Sequence, residues 1–182
     1  MTNSANRVRK MVLCALFTAV TVVCSQLAVP TPWGVPVNLA LFGVYMAGMM
    51  LGPVWGAASQ LVFILLAAVG VPVLAGFNGG LSAILGKTGG YVVGYVLAAA
   101  IAPAVANAMQ RKPWAMVLGM VLGCAACYLL GTIWFIALTA TPLMTALGWC
   151  VIPYLPGDVV KIALAVLLTV QLDKRLPKEV LA

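Results

Sequence analysis

Histidine is absent from the chain, and with it the commonest general base and the commonest metal ligand. Acidic residues number three: Asp158, Asp173 and Glu179. Only Asp158 lies within an apolar run, so a paired-carboxylate mechanism is excluded, and no nucleophile–base arrangement is visible. Charge as a whole is scarce. Charged residues make up 7% of the chain, against about 25% in an average soluble domain, which excludes an ordinary soluble globule. The net charge of +7 comes without the aromatic-basic patches that single-stranded nucleic acid uses. Its expected partner is anionic membrane lipid on the cytoplasmic face rather than nucleic acid.

What is present is apolar. Hydrophobic residues reach 64%, and the mean hydropathy is +1.14. A membrane helix takes about 20 residues, so 182 residues allow about six spans with short loops. The expectation is an all-α integral membrane protein, a six-transmembrane-helix bundle forming a single domain over residues 1–182. Apolar runs place the helices near 11–29, 38–51, 54–69, 91–109, 114–138 and 158–172. Between them, Pro30, Pro32 and Pro36 exclude regular helix, Gly52-Pro53 marks a tight turn, and 139–156 reads as irregular. Residues 70–90 include seven glycines yet stay apolar. Non-helical backbone at membrane depth must be buried in protein or line a cavity, so this segment is expected to re-enter the protein as a floor or lid for a ligand. Arg7, Arg9 and Lys10 precede the first run, which is longer than a signal-peptide core of about 7–15 residues. It is therefore expected to be retained as a helix.

Orientation follows from Lys and Arg. With six spans, Arg7, Arg9, Lys10, Arg111, Lys112, Lys174, Arg175 and Lys178 share one side, which the positive-inside rule makes cytoplasmic. Both termini are then cytoplasmic, in a multi-pass protein of the plasma membrane. The remaining charges, Lys87, Asp158 and Lys161, fall in the outer half. An ionisable side chain at mid-helix costs about 2.5–3.5 kcal/mol on insertion scales, so these three mark a candidate site.

Asp158 and Lys161 are three apart and share a face if a helix begins near them. A carboxylate there also meets the positive end of the helix dipole. The pair could neutralise itself, but buried ion pairs are poor glue, which favours ligand binding. Asn78 lies in the glycine-rich loop. Its amide donates and accepts, which suits a neutral polar ligand, although it could simply be a turn residue before Gly79-Gly80. Tyr91 and Trp33 could anchor at the interface or stack on a ligand. Gly86-Lys87-Thr88 looks like the end of a phosphate-binding loop, but Leu81 stands where the first glycine is required, so nucleotide binding is not expected. Cys124 and Cys127 match a redox spacing without a βαβ context. Packing is the plainer reading, and a membrane thiol-redox enzyme the remote one. Ala15 and Ala19, four apart, allow close approach of another helix.

Two blocks are more specific than any of these features. Pro72-Val73-Leu74-Ala75-Gly76-Phe77-Asn78-Gly79-Gly80 with Gly86-Lys87-Thr88-Gly89-Gly90-Tyr91, and Pro156-Gly157-Asp158-Val159-Val160-Lys161, resemble the BioY family. These are the biotin-specific substrate-binding subunits (S components) of energy-coupling-factor transporters. The resemblance covers nearly the whole chain. It implies a six-helix protein that is not an enzyme, needs no cofactor and captures extracellular biotin. Its implied partners are a transmembrane coupling subunit and a cytoplasmic pair of ATPases. It also implies that Asn78, Asp158 and Lys161, with Tyr91 nearby, hold the ligand, and that Ala15 and Ala19 form the docking face for the coupling subunit. The ureido ring of biotin donates and accepts, which fits an amide with a carboxylate, and its carboxylate requires a cation. Some relatives carry arginine just after the tyrosine, where this chain has Val92, and the family's usual Gly-Pro-Thr is here Gly86-Lys87-Thr88. Lys87 is therefore the expected partner of the biotin carboxylate. An S component for a different vitamin is the nearest alternative.

Overall fold

A computed structural model of the chain describes residues 3–175. Lys178, one of the cytoplasmic charges counted above, lies outside the described residues. The elements in chain order are α1 (Asn3–Gln26), β1 (Ala28–Val29), β2 (Val37–Asn38), α2 (Ala40–Ala68), α3 (Leu81–Ile84), α4 (Gly89–Ala108), α5 (Pro113–Thr139), α6 (Leu143–Cys150), a 3-10 turn (Ile152–Tyr154) and α7 (Leu155–Arg175). Five helical stretches among the described residues are long and apolar enough to cross a membrane: Asn6–Gln26, Ala40–Ala68, Gly89–Ala108, Pro113–Thr139 and Leu143–Arg175.

The second of these stretches is not straight. Gly52 adopts φ +78 and ψ 176 inside α2, immediately before Pro53. Only glycine takes that conformation without strain, and proline removes the next helical donor. The chain doubles back there. A Cβ placed on Gly56 would lie 2.6 Å from the Cα of Gly48, although a straight helix would hold residues eight apart about 12 Å from each other. The expected Gly52-Pro53 turn is therefore present, between two helical arms packed face to face.

Two expectations of irregularity give way to short elements. Residues 139–156 contain α6 and the 3-10 turn, and Ala28–Val29 pairs antiparallel with Val37–Asn38, closing the proline-rich segment as a hairpin. The prolines sit in its turn, where no ladder donor is needed. The segment 70–90 holds α3, an antiparallel bridge between Leu74 and Asn78, and the first two residues of α4.

Small residues set the tightest helix contacts. Along the α4–α5 seam, Gly94 faces Cys127, Gly123 faces Ala98 and Gly119 faces Ala102, the close approach that small residues permit between membrane helices. At the opposite end of the bundle from the hairpin, Arg111 fastens three elements. Its Nε and Nη2 donate to the two carboxylate oxygens of Asp173 on α7 at 3.1 and 3.0 Å. Nη1 reaches Asn107 Oδ1 on α4 at 3.1 Å, and Nη2 also reaches Met49 O on α2 at 3.1 Å. Met49 O is the carbonyl that the nitrogen of Pro53 would have satisfied in an unbroken helix, so the arginine supplies the donor that proline lacks.

Candidate functional site

The start of α7 brings the two charges together. Asp158 sits in its first turn, and Lys161 Nζ donates to Asp158 Oδ1 at 2.8 Å. The two residues are 3% and 5% exposed, so bulk water does little for either charge, and each depends largely on protein groups. Asp158 Oδ2 accepts from the Tyr128 hydroxyl and from Cys124 Sγ, the latter at 3.8 Å. Cys124 and Tyr128 are four apart on α5 and so share one face.

Asn78 is presented by a turn that Leu74 and Asn78 close through paired backbone bonds of 3.0 and 3.2 Å. Its Nδ2 donates to Ala75 O at 2.9 Å, and its Oδ1 accepts no hydrogen bond among the described residues. Tyr91, in the first turn of α4, is 7% exposed, shares a hydrogen bond with Thr132 Oγ1 at 3.2 Å, and meets the Tyr128 ring edge-on at 6.3 Å between centroids.

These elements enclose a cavity of about 170 Å³ whose wall includes Asn78, Tyr91, Tyr128, Asp158 and Lys161. Leu41, Phe63, Val92 and Tyr95 supply apolar and aromatic surface. Tyr154 closes one side: Trp33 Nε1 donates to its hydroxyl at 3.2 Å, and that hydroxyl donates to Val35 O, which fastens the β1–β2 turn to the 3-10 turn. A few convergent polar groups in an apolar concavity are the usual form of a small-molecule site, although this volume is below the roughly 300–1,000 Å³ of drug-sized clefts. It suits a compact head group with any tail directed to the mouth. A larger groove of about 660 Å³ runs between α5 and α7. Its wall is mostly aliphatic; Tyr128 and Asp158 border it as well, but Asn78 and Lys161 do not, so it offers fewer groups to orient a polar ligand.

Of the expected site residues, Asn78, Tyr91, Asp158 and Lys161 line the one cavity. Lys87 does not. It is exposed, and its Cδ lies 3.7 Å from where a Cβ on Gly34 would stand. Gly34 does belong to the wall, so Lys87 sits beside the mouth. Ala15 and Ala19 are both exposed, in a stripe with Val12, Leu16 and Val23. The two cysteines of the redox spacing face different groups: Cys124 meets Asp158, and Cys127 donates to Tyr91 O at 3.4 Å. Tyr128 and Tyr154 also line the cavity, and the sequence reading missed both. Tyr128 left a signal, a hydroxyl four residues after Cys124 in an apolar run.

The BioY family model matches residues 1–178. The chain is 36% identical over 167 residues to a probable biotin transporter BioY of Pyrococcus horikoshii, covering 92% of this chain and 98% of that one. It is 32% identical over 186 residues to a biotin transporter BioY of Rhodobacter capsulatus, covering 96% and 98%. The fold is similar to the crystal structure of an S component for biotin from an ECF-type ABC transporter, with a TM-score of 0.87 at 30% identity over 96% of this chain and 95% of that one.

Proposed function

The chain belongs to the BioY family, and on that premise we propose that its cavity takes the bicyclic head of biotin, with Asp158, Lys161 and Asn78 as its polar contacts. The protein is a biotin-binding S component of an energy-coupling-factor transporter, a multi-pass membrane protein and not an enzyme. The reading of the site rests on one observation: an amide, a carboxylate and an ammonium from two distant segments converge on one small cavity. Each has a complementary atom in the ureido ring. Lys161 Nζ donates to the ring carbonyl, Asp158 accepts from one ring N–H, and Asn78 Oδ1 accepts from the other. Tyr91, Tyr95 and Phe63 pack the bicycle. The aliphatic tail then points to the mouth, where Lys87 meets the carboxylate in place of the cation that Val92 does not provide.

The two arms of α2 count as separate crossings in this reading, which makes six spans and leaves both termini in the cytoplasm beside Arg111 and Lys112. The segment 70–90 dips in from the outer face to floor the site. Ala15 and Ala19 form the docking face for a coupling subunit, which a pair of ATPases drives.

Calorimetric titration of the purified protein with biotin, thiamine and riboflavin, with Asp158→Asn as control, tests the assignment. Binding of biotin alone, weakened in the variant, is expected. Equal affinity in wild type and Asp158→Asn would remove Asp158 from the site.

A further inference from the structure

Gln26 closes α1, and its side chain leaves the helix for the loop that carries Asn78. Its Nε2 donates to Pro72 O at 3.2 Å and to Leu74 O at 3.1 Å, and its Oε1 accepts from the Phe77 N–H at 3.0 Å. One carboxamide so satisfies two carbonyls and one amide of the same loop. The set fixes the orientation of the amide, because the flipped form would set its oxygen against both carbonyls. Phe77 is held at φ +57, a left-handed conformation that few non-glycine residues adopt, and its N–H is the one Gln26 accepts. Asn78 follows directly, so the Gln26 bonds bear on where the Asn78 side chain stands. Gln26 itself is not in the cavity wall, and it touches the ligand loop rather than the ligand.

The other end of the connection is α1. At 3.6 residues per turn, residues 15, 19 and 26 fall on one stripe of the helix. Ala15 and Ala19 are exposed on it, and Gln26 ends it. A helix that docks on that stripe lies in line with the residue holding the loop.

We propose that Gln26 is a positioning residue that ties the partner-facing helix α1 to the ligand loop, so that a displacement of α1 on docking reaches Asn78 and loosens the grip on the vitamin. The transmission half of this inference rests on the reading of Ala15 and Ala19 as the docking face. The loop half stands on the Gln26 bonds alone.

The test uses the full chain with Gln26→Asn, which keeps an amide but is one methylene too short to span its three partners. Gln26→Glu is the second variant, keeping the acceptor for Phe77 and losing both donors. Radiolabelled biotin should dissociate about fivefold faster from each, the factor that roughly one net hydrogen bond carries. The melting temperature should hold, and amide exchange should rise over residues 72–79. Dissociation within twofold of wild type would overturn the tie. With the energizing module added, release from wild type should accelerate, while Gln26→Asn should still co-purify with the module and show no further acceleration. Equal acceleration in both would overturn the transmission. Co-purification of Ala19→Trp at the wild-type level would sink the docking face, and the transmission with it, without touching the dissociation result.

Discussion

Replacing Asp158 alone, and then together with Lys161, separates what the pair does for stability from what it does for the ligand. Lys161 Nζ stands 2.8 Å from Asp158 Oδ1, with side chains 6% and 5% exposed. Asp158→Ala leaves the ammonium in that setting without its carboxylate. Removing one member of a buried pair costs about 3–5 kcal/mol, a large share of the roughly 5–15 kcal/mol that keeps a domain folded. Adding Lys161→Met removes the stranded charge, and apolar replacement of a whole buried pair is often close to neutral. The double variant should therefore melt well above the Asp158→Ala single. Biotin affinity should move the other way. Hydrogen bonds to charged groups contribute about 1.5–3 kcal/mol each, so losing both weakens binding by at least about 150-fold. Thermal unfolding followed by intrinsic tryptophan fluorescence, and calorimetric titration in the same detergent, measure the two effects. A single variant that melts with or above the double would refute the pairing argument. A double variant with wild-type affinity would remove both groups from the ligand.

Tyr128→Phe removes the hydroxyl that donates to Asp158 Oδ2. Losing about 1 kcal/mol of orientation should weaken biotin about fivefold, whereas tighter binding by titration would mean that the hydroxyl competes with the ligand. Lys87→Ala removes an exposed cation beside the mouth. At about 0.2–1 kcal/mol for an exposed ion pair, affinity should fall by a small factor, and the preference for biotin over its amide should vanish; a preserved preference sends Lys87 back to being a loop lysine. Arg111→Ala strands Asp173 and the Met49 carbonyl. It should lower stability by about 1–3 kcal/mol in a thermal melt while leaving biotin affinity in detergent unchanged, and a lost affinity would mean that the clamp also sets the site.

The costliest residues were the legible ones. Asp158 and Lys161 stood out because charge at membrane depth needs a reason, and their spacing of three already placed them on one face. Asn78 stood out because an apolar, glycine-rich loop must line something. The turn at Gly52-Pro53 was written locally, in a glycine that can take positive φ and a proline that cannot donate. What escaped depends on partners far along the chain. The pairing of residues 28–29 with 37–38 looked like three prolines and nothing more. Tyr128 reads as one aromatic in an apolar helix until α7 delivers Asp158 to it. Gln26 reads as a helix-end amide, and only the path of residues 72–77 gives it a purpose. An exposed lysine such as Lys87 carries no sequence signal for the direction of its side chain, and only the fold sets it beside Gly34 at the mouth.

The most direct measurement is an experimental structure of the protein with biotin bound. The ureido ring should lie within hydrogen-bonding distance of Asp158, Lys161 and Asn78, with the tail leading toward Gly34 and Lys87. Biotin found in the aliphatic groove between α5 and α7, with the Asp158–Lys161 pair still closed on itself, would contradict the account.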